Sequence, residues 1–297
     1  MDTAPVYRGS TFREVRDQVF SDPYEALPTY EITLASLYAG LRNRLLLACR
    51  RALTEERDIV EPFQRLVHPL GVALTGRWTI NRASPYTGLF RKGTEALILC
   101  RCSVLLYKTL QGQFRGFAFA GKIFPTLDPD ERVRTVDFFT IDNLAGTLAR
   151  HFTEVELSNR PPLGFNSDVL RLFWMVTATF ATFIRANLNP VFRPVDPVAE
   201  HGLAAGEAAR APKWLMLRAW GGSGRVSRPD FRDELRVDGY ENGQLVFEVF
   251  AADALLPGGA RDYKKLGEVT LTESVTSESC DHRLKFRHPV LKGSRIL

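Results

Sequence analysis

The chain has 297 residues, 45% hydrophobic, 25% charged and 11% aromatic, a composition that excludes disorder, collagen and a disulfide-stapled miniprotein. Thirty-nine Lys and Arg against 34 Asp and Glu leave a formal charge of +5, and the two signs are interspersed, so no nucleic-acid partner is expected. A chain of this length buries roughly 75% of its unfolded surface, enough core to support a ligand cavity.

In chain order, residues 1–64 read as a polar arm and an amphipathic helix. From Glu31 to Arg57, Leu34, Leu37, Tyr38, Leu41, Leu45, Leu46 and Ala48 recur at spacings of three and four, with arginines between them, until Pro62 closes the section. From Arg65 to Phe139 the period changes. Val67, Val72, Leu74, Trp78 and Ile80, then 96–106, 114–124 and 136–141, form β-branched or aromatic runs. The turn signals Ser84-Pro85, Lys92-Gly93, Gly112 and Asp128-Pro129-Asp130 separate them. A helical insertion is expected near 166–211, carrying the apolar run Leu172–Ile184. Strands resume at 214–220, 235–237, 245–250, 267–271 and 284–286. Successive strands with short connections predict an α+β fold: a closed antiparallel β-barrel over 65–297 with added N-terminal and inserted helices.

The apolar run is thirteen residues long, short of the roughly 20 a bilayer-spanning helix needs, so no transmembrane segment is expected. The opening Met-Asp-Thr-Ala-Pro lacks a secretory pattern, and none of Cys49, Cys100, Cys102 and Cys280 has metal-knuckle spacing; a reduced, cytoplasmic protein follows. Cys100 and Cys102 share one strand face as small buried hydrophobes. Cys280, His282 and His288 match no recognised zinc spacing, and Gly221-Gly222-Ser223-Gly224 lacks the lysine of a phosphate loop.

The chemistry-bearing stretch runs from Arg65 to Trp78: Arg, two apolar residues, His68, two residues, Gly71, four residues, Gly76, one residue, Trp78. This resembles the opening barrel strand of the haem catalase superfamily at every spacing. Tyr86-Thr87, Phe90, Lys92-Gly93, Arg101-Cys102-Ser103, Arg115-Gly116-Phe117-Ala118, Lys122 and Phe138-Phe139 follow in the family's order, as do Asp262-Tyr263, Leu266-Gly267 and Phe286 to Pro289. The resemblance implies haem in the barrel, His68 as the acid/base on a hydroperoxide, and Ser103 accepting a hydrogen bond from its imidazole. It places Arg65 and Arg101 on the haem propionates and Phe139 in the haem-binding set, and it suggests a homo-oligomer. Buried arginines need anionic partners in any case, and for Arg101 the sequence also offers Asp137 or Glu95.

Two departures shape the expected function. No Asn stands before Phe138 where the family has one, and Asn143 lies on the other side of the pair. The sequence reaches Leu297 only eight residues after Pro289, with no counterpart of the family's proximal tyrosine helix, so the metal ligand is unknown; Tyr263, Tyr240 and His288 are the named substitutes. The expectation is therefore a peroxidase-like or organic-hydroperoxide-converting oxidoreductase. Its alternatives are a haem-free barrel holding an apolar carboxylate or lipid-like molecule, and a partner-binding subunit.

Overall fold

The structure, a computed structural model, describes residues 9–28, 58–63, 65, 69–109, 112–141, 152–156, 191–192, 210, 212, 214–219, 231–240, 242–259, 261–286 and 291–292. The helices expected at 31–57 and 167–187 lie outside the described residues. Within them the chain is predominantly β. The elements run α1 (Phe12–Phe20), β1 (Gly71–Ile80), β2 (Glu95–Thr109), β3 (Gly112–Phe124), β4 (Val136–Ile141), β5 (Phe152–Glu156) and β6 (Val191–Phe192). They continue with β7 (Trp214–Ala219), α2 (Phe231–Glu234), β8 (Leu245–Ala252), β9 (Lys264–Val275), α3 (Glu278–His282) and β10 (Leu291–Lys292).

Eight strands form one antiparallel sheet in the order β4-β3-β2-β1-β9-β8-β7-β5, and β6 pairs with β10 separately. The sheet curls. Phe119 on β3 and Phe247 on β8 stand four places apart in that order, yet their rings meet edge to face with centroids 5.0 Å apart. Flat strands at those places would be roughly 19 Å apart at the usual inter-strand spacing. The two edge strands, β4 and β5, also approach one another.

Alternation along each strand gives the sheet two buried faces. The inner face carries Val72, Leu74, Trp78 and Ile80 from β1, Ile98, Cys100 and Cys102 from β2, Phe119 and Ile123 from β3, and Leu245, Phe247 and Val249 from β8. Trp78 anchors it, packing on Phe90 and Phe138 and donating its indole N–H to the Leu89 carbonyl at 2.9 Å. The outer face carries a second layer, in which Phe12, Val15 and Val19 of α1 meet Ala73, Leu99, Phe124, Cys280 and Leu284.

α1 is a finding, since the sequence reading took this stretch as a polar arm. It has a full capping box: Thr11 Oγ1 accepts from the Glu14 backbone N–H at 3.0 Å and the Glu14 carboxylate accepts from the Thr11 N–H at 3.2 Å. Its apolar residues at 12, 15 and 19 follow the helical period. Two expected strands are corrected. Residues 235–237 lead into a 3-10 turn at Val237–Gly239, and 284–286 make a single bridge, Ile59 to Leu284. Both runs are three residues long, and there the buried Leu235, Val237 and Leu284 plug the core instead of extending a ladder.

Glycines set the closest approaches. A Cβ at Gly76 would stand 1.9 Å from the Thr270 carbonyl oxygen, and one at Gly267 would stand 1.9 Å from that of Thr79, so β1 and β9 close on each other only through glycine. Gly76→Ala is expected to lower stability by at least about 2 kcal/mol, read as a fall in the urea midpoint.

α1 is tied to the sheet by charge. Arg16 donates to Glu273 from Nε at 2.9 Å and from Nη2 at 2.8 Å, and Thr75 Oγ1 donates to the same carboxylate at 2.7 Å. The Arg16 hydrogen bonds hold Glu273 below the ordinary 4.5. A carboxyl depressed in the fold contributes stability that is present above its unfolded value and is lost as pH falls through the folded value. Urea midpoints should therefore drop as pH falls below about 4.5, and the drop should be shallower in Glu273→Gln.

Candidate functional site

Of the predicted residues, Arg101 and Ser103 project from the outer face and Arg65 reaches it from the segment before β1. Strand register places Gly71, Ser103, Ala118 and Ile141 in one row across β1 to β4, and Ala73, Arg101, Ala120 and Phe139 in the next. Thr75, Leu99, Lys122 and Asp137 form the third. Ser103 and Arg101 stand two apart on β2 and so project from the same face, the one opposite the aromatic core. Around them the floor is made of residues with little or no side chain: Gly71, Ala73, Ala118 and Ala120. Gly71 is required there, because a Cβ would fall 2.6 to 2.8 Å from the Arg101 guanidinium.

Arg101 is 4% exposed and takes its counter-charge from α3. Nη2 donates to Asp281 Oδ1 at 2.6 Å and to the Pro69 carbonyl at 3.0 Å, and Nε donates to the Cys280 carbonyl at 3.1 Å. Burial works against the guanidinium, but Asp281 outweighs it and holds the Arg101 pKa above its ordinary value. The partner is thus Asp281, in place of the Asp137 or Glu95 that the sequence offered. Asp137 serves a different cation. Lys122, fully buried, donates to Asp58 Oδ1 at 2.7 Å and to both Asp137 oxygens at 2.9 and 2.8 Å, while Thr135 Oγ1 adds a bond to Asp58 at 3.2 Å.

Arg65 joins the cluster from the segment before β1. It donates from Nε to the Asp281 carbonyl at 2.9 Å and from Nη2 to the Leu284 carbonyl, and its guanidinium lies 4.8 Å from the Phe63 ring centroid. Among the described residues it makes no ion pair. Burial and the neighbouring Arg101 charge pull its pKa down to about 9, the mark of a cation short of counter-charge. The cluster therefore holds two guanidiniums and one carboxylate. The thiol of Cys280, pushed up to about 12 by burial and by Asp281, adds no negative charge.

α3 is fixed over this cluster by the N-terminal segment. Ser277 Oγ caps it, accepting from the Cys280 N–H at 3.0 Å. The Asp22 carboxylate accepts from the Ser279 N–H at 3.1 Å and the Ser279 hydroxyl at 2.6 Å, and the Tyr24 hydroxyl donates to Asp281 Oδ2 at 3.2 Å. Sequence reasoning missed Asp281, Asp22 and Tyr24. The available signal was Ser277 before Glu278, an N-cap followed by an acidic first turn.

Other predicted residues fall elsewhere. His68 and His288 lie outside the described residues, as does the Phe139 side chain; the backbone of Phe139 pairs with Ala120. Tyr263 immediately precedes β9, whereas Arg101 lies beside Ala73, which pairs with Val275 at the other end of that strand. Roughly 35 Å of strand separates them, so Tyr263 cannot share a ligand with Arg101. Among the described residues its buried hydroxyl has no hydrogen-bond partner, and burial raises its pKa. Tyr240 packs against the inner core, on the opposite face from Arg101. Among the described residues no three His, Cys, Asp or Glu side chains come together as a metal site, and no helix is long and apolar enough to cross a membrane.

The resemblance implies haem, and the outer face can be tested for it. A flat group needs open space over small side chains. Gly71, Ser103, Ala118 and Ala120 put small residues in register there, but each is already buried, Gly71 lies under the Arg101 guanidinium, and α1 and α3 pack over the same face. The described residues therefore do not by themselves form an open seat for a planar group.

No family model matches the chain, and no curated protein matches it. Among solved structures it is similar to a fungal catalase, at 12% identity and a TM-score of 0.38 over 72% of this chain and 50% of that one. It is similar also to a bacterial catalase, at 15% identity and a TM-score of 0.38 over 92% of this chain and 59% of that one. The chain thus spans half to three-fifths of the structures it matches, at scores too low to assign a family.

Lys122→Met is expected to leave Asp58 and Asp137 buried without their cation and to lower stability by about 3–5 kcal/mol, measured by urea unfolding. A change below about 1 kcal/mol would show that the carboxylates find another partner.

Proposed function

We propose that the chain is a catalase-like oxidoreductase acting on a hydroperoxide, with its curled sheet closed into a barrel that binds haem. The observation that supports this reading is that two arginines, Arg65 and Arg101, meet at α3 beside the small residues of strands β1 to β3. Arg65 would hold a propionate, supported by Arg101 from below. When bound, haem supplies a redox iron able to donate the electrons that break the oxygen–oxygen bond. His68 takes the hydroperoxide proton and returns it to the leaving oxygen, and Ser103 accepts a hydrogen bond from its imidazole, fixing the tautomer. With no Asn before Phe138, hydrogen peroxide is a poorer substrate than an organic hydroperoxide.

A second reading has its own observation. Arg101 is paired with Asp281, whereas Arg65 is held by the carbonyls of Asp281 and Leu284. A single apolar carboxylate, held without haem, suits Arg65 as well as a propionate does.

The test supplies haem to the purified chain, records the absorption spectrum and follows consumption of cumene hydroperoxide. The expected result is a Soret band that weakens in Arg65→Gln, and turnover that falls by roughly 10²–10⁴ in His68→Ala. No Soret band together with saturable palmitate binding selects the haem-free reading. Neither haem nor palmitate binding overturns both.

A further inference from the structure

We propose that the tip of the β8–β9 hairpin attaches the protein to an anionic lipid surface: Leu255 and Leu256 enter the headgroup boundary, and the basic residues at the same end of the sheet hold them there. The inference is independent of the haem and carboxylate readings, which concern the outer face beside Ser103.

Residues 254–260 read Ala-Leu-Leu-Pro-Gly-Gly-Ala, seven in a row without a charged or polar side chain. Ala254 to Gly259 are all exposed, Leu255 at 57% and Leu256 at 46%. Single exposed leucines are ordinary, and Leu27 and Leu127 are of that kind. Among the described residues only this tip places two large exposed hydrophobic side chains next to each other in sequence. A consecutive exposed apolar run of this kind marks a contact surface. The tip is also a built turn. Gly258 and Gly259 take φ of +97° and +87°, the Gly259 N–H donates to the Leu256 carbonyl at 3.0 Å, and the Asp262 N–H donates to the Ala254 carbonyl at 3.0 Å. These bonds, together with Pro257, which has no N–H, reduce the number of backbone groups that entry into an apolar boundary would strip of water.

Charge selects the kind of surface. Strand pairing puts the end of β1, the start of β2, the end of β8 and the start of β9 at one end of the sheet. The Arg82 N–H donates to the Leu266 carbonyl at 2.9 Å, and Arg210 accepts from the Thr87 N–H at its carbonyl while its guanidinium reaches Asp253 at 3.3 Å. The connections 81–94 and 253–263, with Arg210, carry five basic residues, Arg82, Arg91, Lys92, Arg210 and Arg261, against Asp253 and Asp262. Lys264 adds another cation at the first residue of β9. The 125–135 connection shares this end three strands away and is engaged with α1 through Arg13 and Asp130; its three acidic and two basic residues leave the end positive. That sign holds whatever ion pairs form within the set.

Size favours a membrane over a protein partner. A stable protein interface buries about 800 Å² on each side, drawn from about 20–30 residues. The tip offers seven uncharged residues on a two-stranded ribbon. A lipid surface needs no matching contour, only apolar side chains that reach the boundary and cations that stay at the phosphates.

The measurement is sedimentation of the full chain with sucrose-loaded vesicles at about 0.1 M salt. One set is phosphatidylcholine alone, and the other contains about 30% phosphatidylserine. The chain should partition onto the anionic set at least about tenfold more strongly. Leu255→Ser combined with Leu256→Ser should weaken that partitioning by about tenfold or more. Leu27→Ser, an exposed leucine three residues after the Tyr24 contact with Thr276 at the other end of β9, should leave it unchanged. Arg82→Gln combined with Lys92→Gln, both exposed, should weaken it by about tenfold, and at about 1 M salt the preference for the anionic set should vanish. All these side chains are exposed, so each variant should keep the wild-type urea midpoint. Sedimentation with neither set overturns the inference, and so does equal sedimentation of the wild type and the double leucine variant. Self-association that the double leucine variant loses, without lipid binding, assigns the tip to a second copy of the chain and overturns it as well.

Discussion

A cation removed from water must find a counter-charge inside the protein, and the outer face of this sheet carries two such cations, Arg101 on β2 and Lys122 on β3. Neither is neutralised by α1, which lies over this face. Asp281 comes from α3, and Asp58 from the segment that precedes β1. Much of what is packed on the outer face follows from that requirement. The α3 turn, its cap at Ser277, and the Asp22 and Tyr24 contacts hold Asp281 where Arg101 needs it. Removing either partner would strand its opposite in a medium where an unpaired charge costs several kcal/mol.

The two faces divide the labour. The inner face is filled by Trp78, Phe119, Phe138 and Phe247, with Phe119 and Phe138 stacked at 5.8 Å between centroids. Packing of that kind supplies most of the hydrophobic stabilisation and leaves polar chemistry to the other face. The outer face mixes small residues with charge, an arrangement that lets long charged side chains cross the sheet and lock α3 onto it. Gly71 serves this role directly, since it is the absence of its Cβ that lets the Arg101 side chain lie across β1.

Much of the sheet was legible in the sequence because its strands obey the period of two over long runs. Trp78 and Phe119 alternate with polar or small neighbours, and the turns between the strands carry glycine or proline. Ser103 and Arg101 could be placed on one face by counting alone. Their partners could not, because Asp281 sits 180 residues from Arg101 and periodicity contains no information about which distant acid closes a pair. The short elements were illegible for a related reason: α3 has five residues and no apolar period, and it exists because its first-turn N–H groups are capped by Asp22 and Ser277. α1 was readable in principle from Thr11 and Glu14, since a capping box is a local signal.

The tie between Asp22 and Ser279 spans 257 residues, and the Arg101 to Asp281 pair spans 180. Long closures of this kind must bear the entropy of the intervening chain before their contacts return anything, which places the fold among slowly forming topologies. On a ribosome, Arg101 emerges well before the acid that neutralises it, whereas Asp58 and Asp137 are already made for Lys122. Arg101 must therefore stay hydrated, and the outer face open, until 277–284 have been made. In that interval the exposed side of β2 and β3 offers Leu99, Phe124 and one uncompensated cation to solvent, and the closing of α3 over them is a late event in folding.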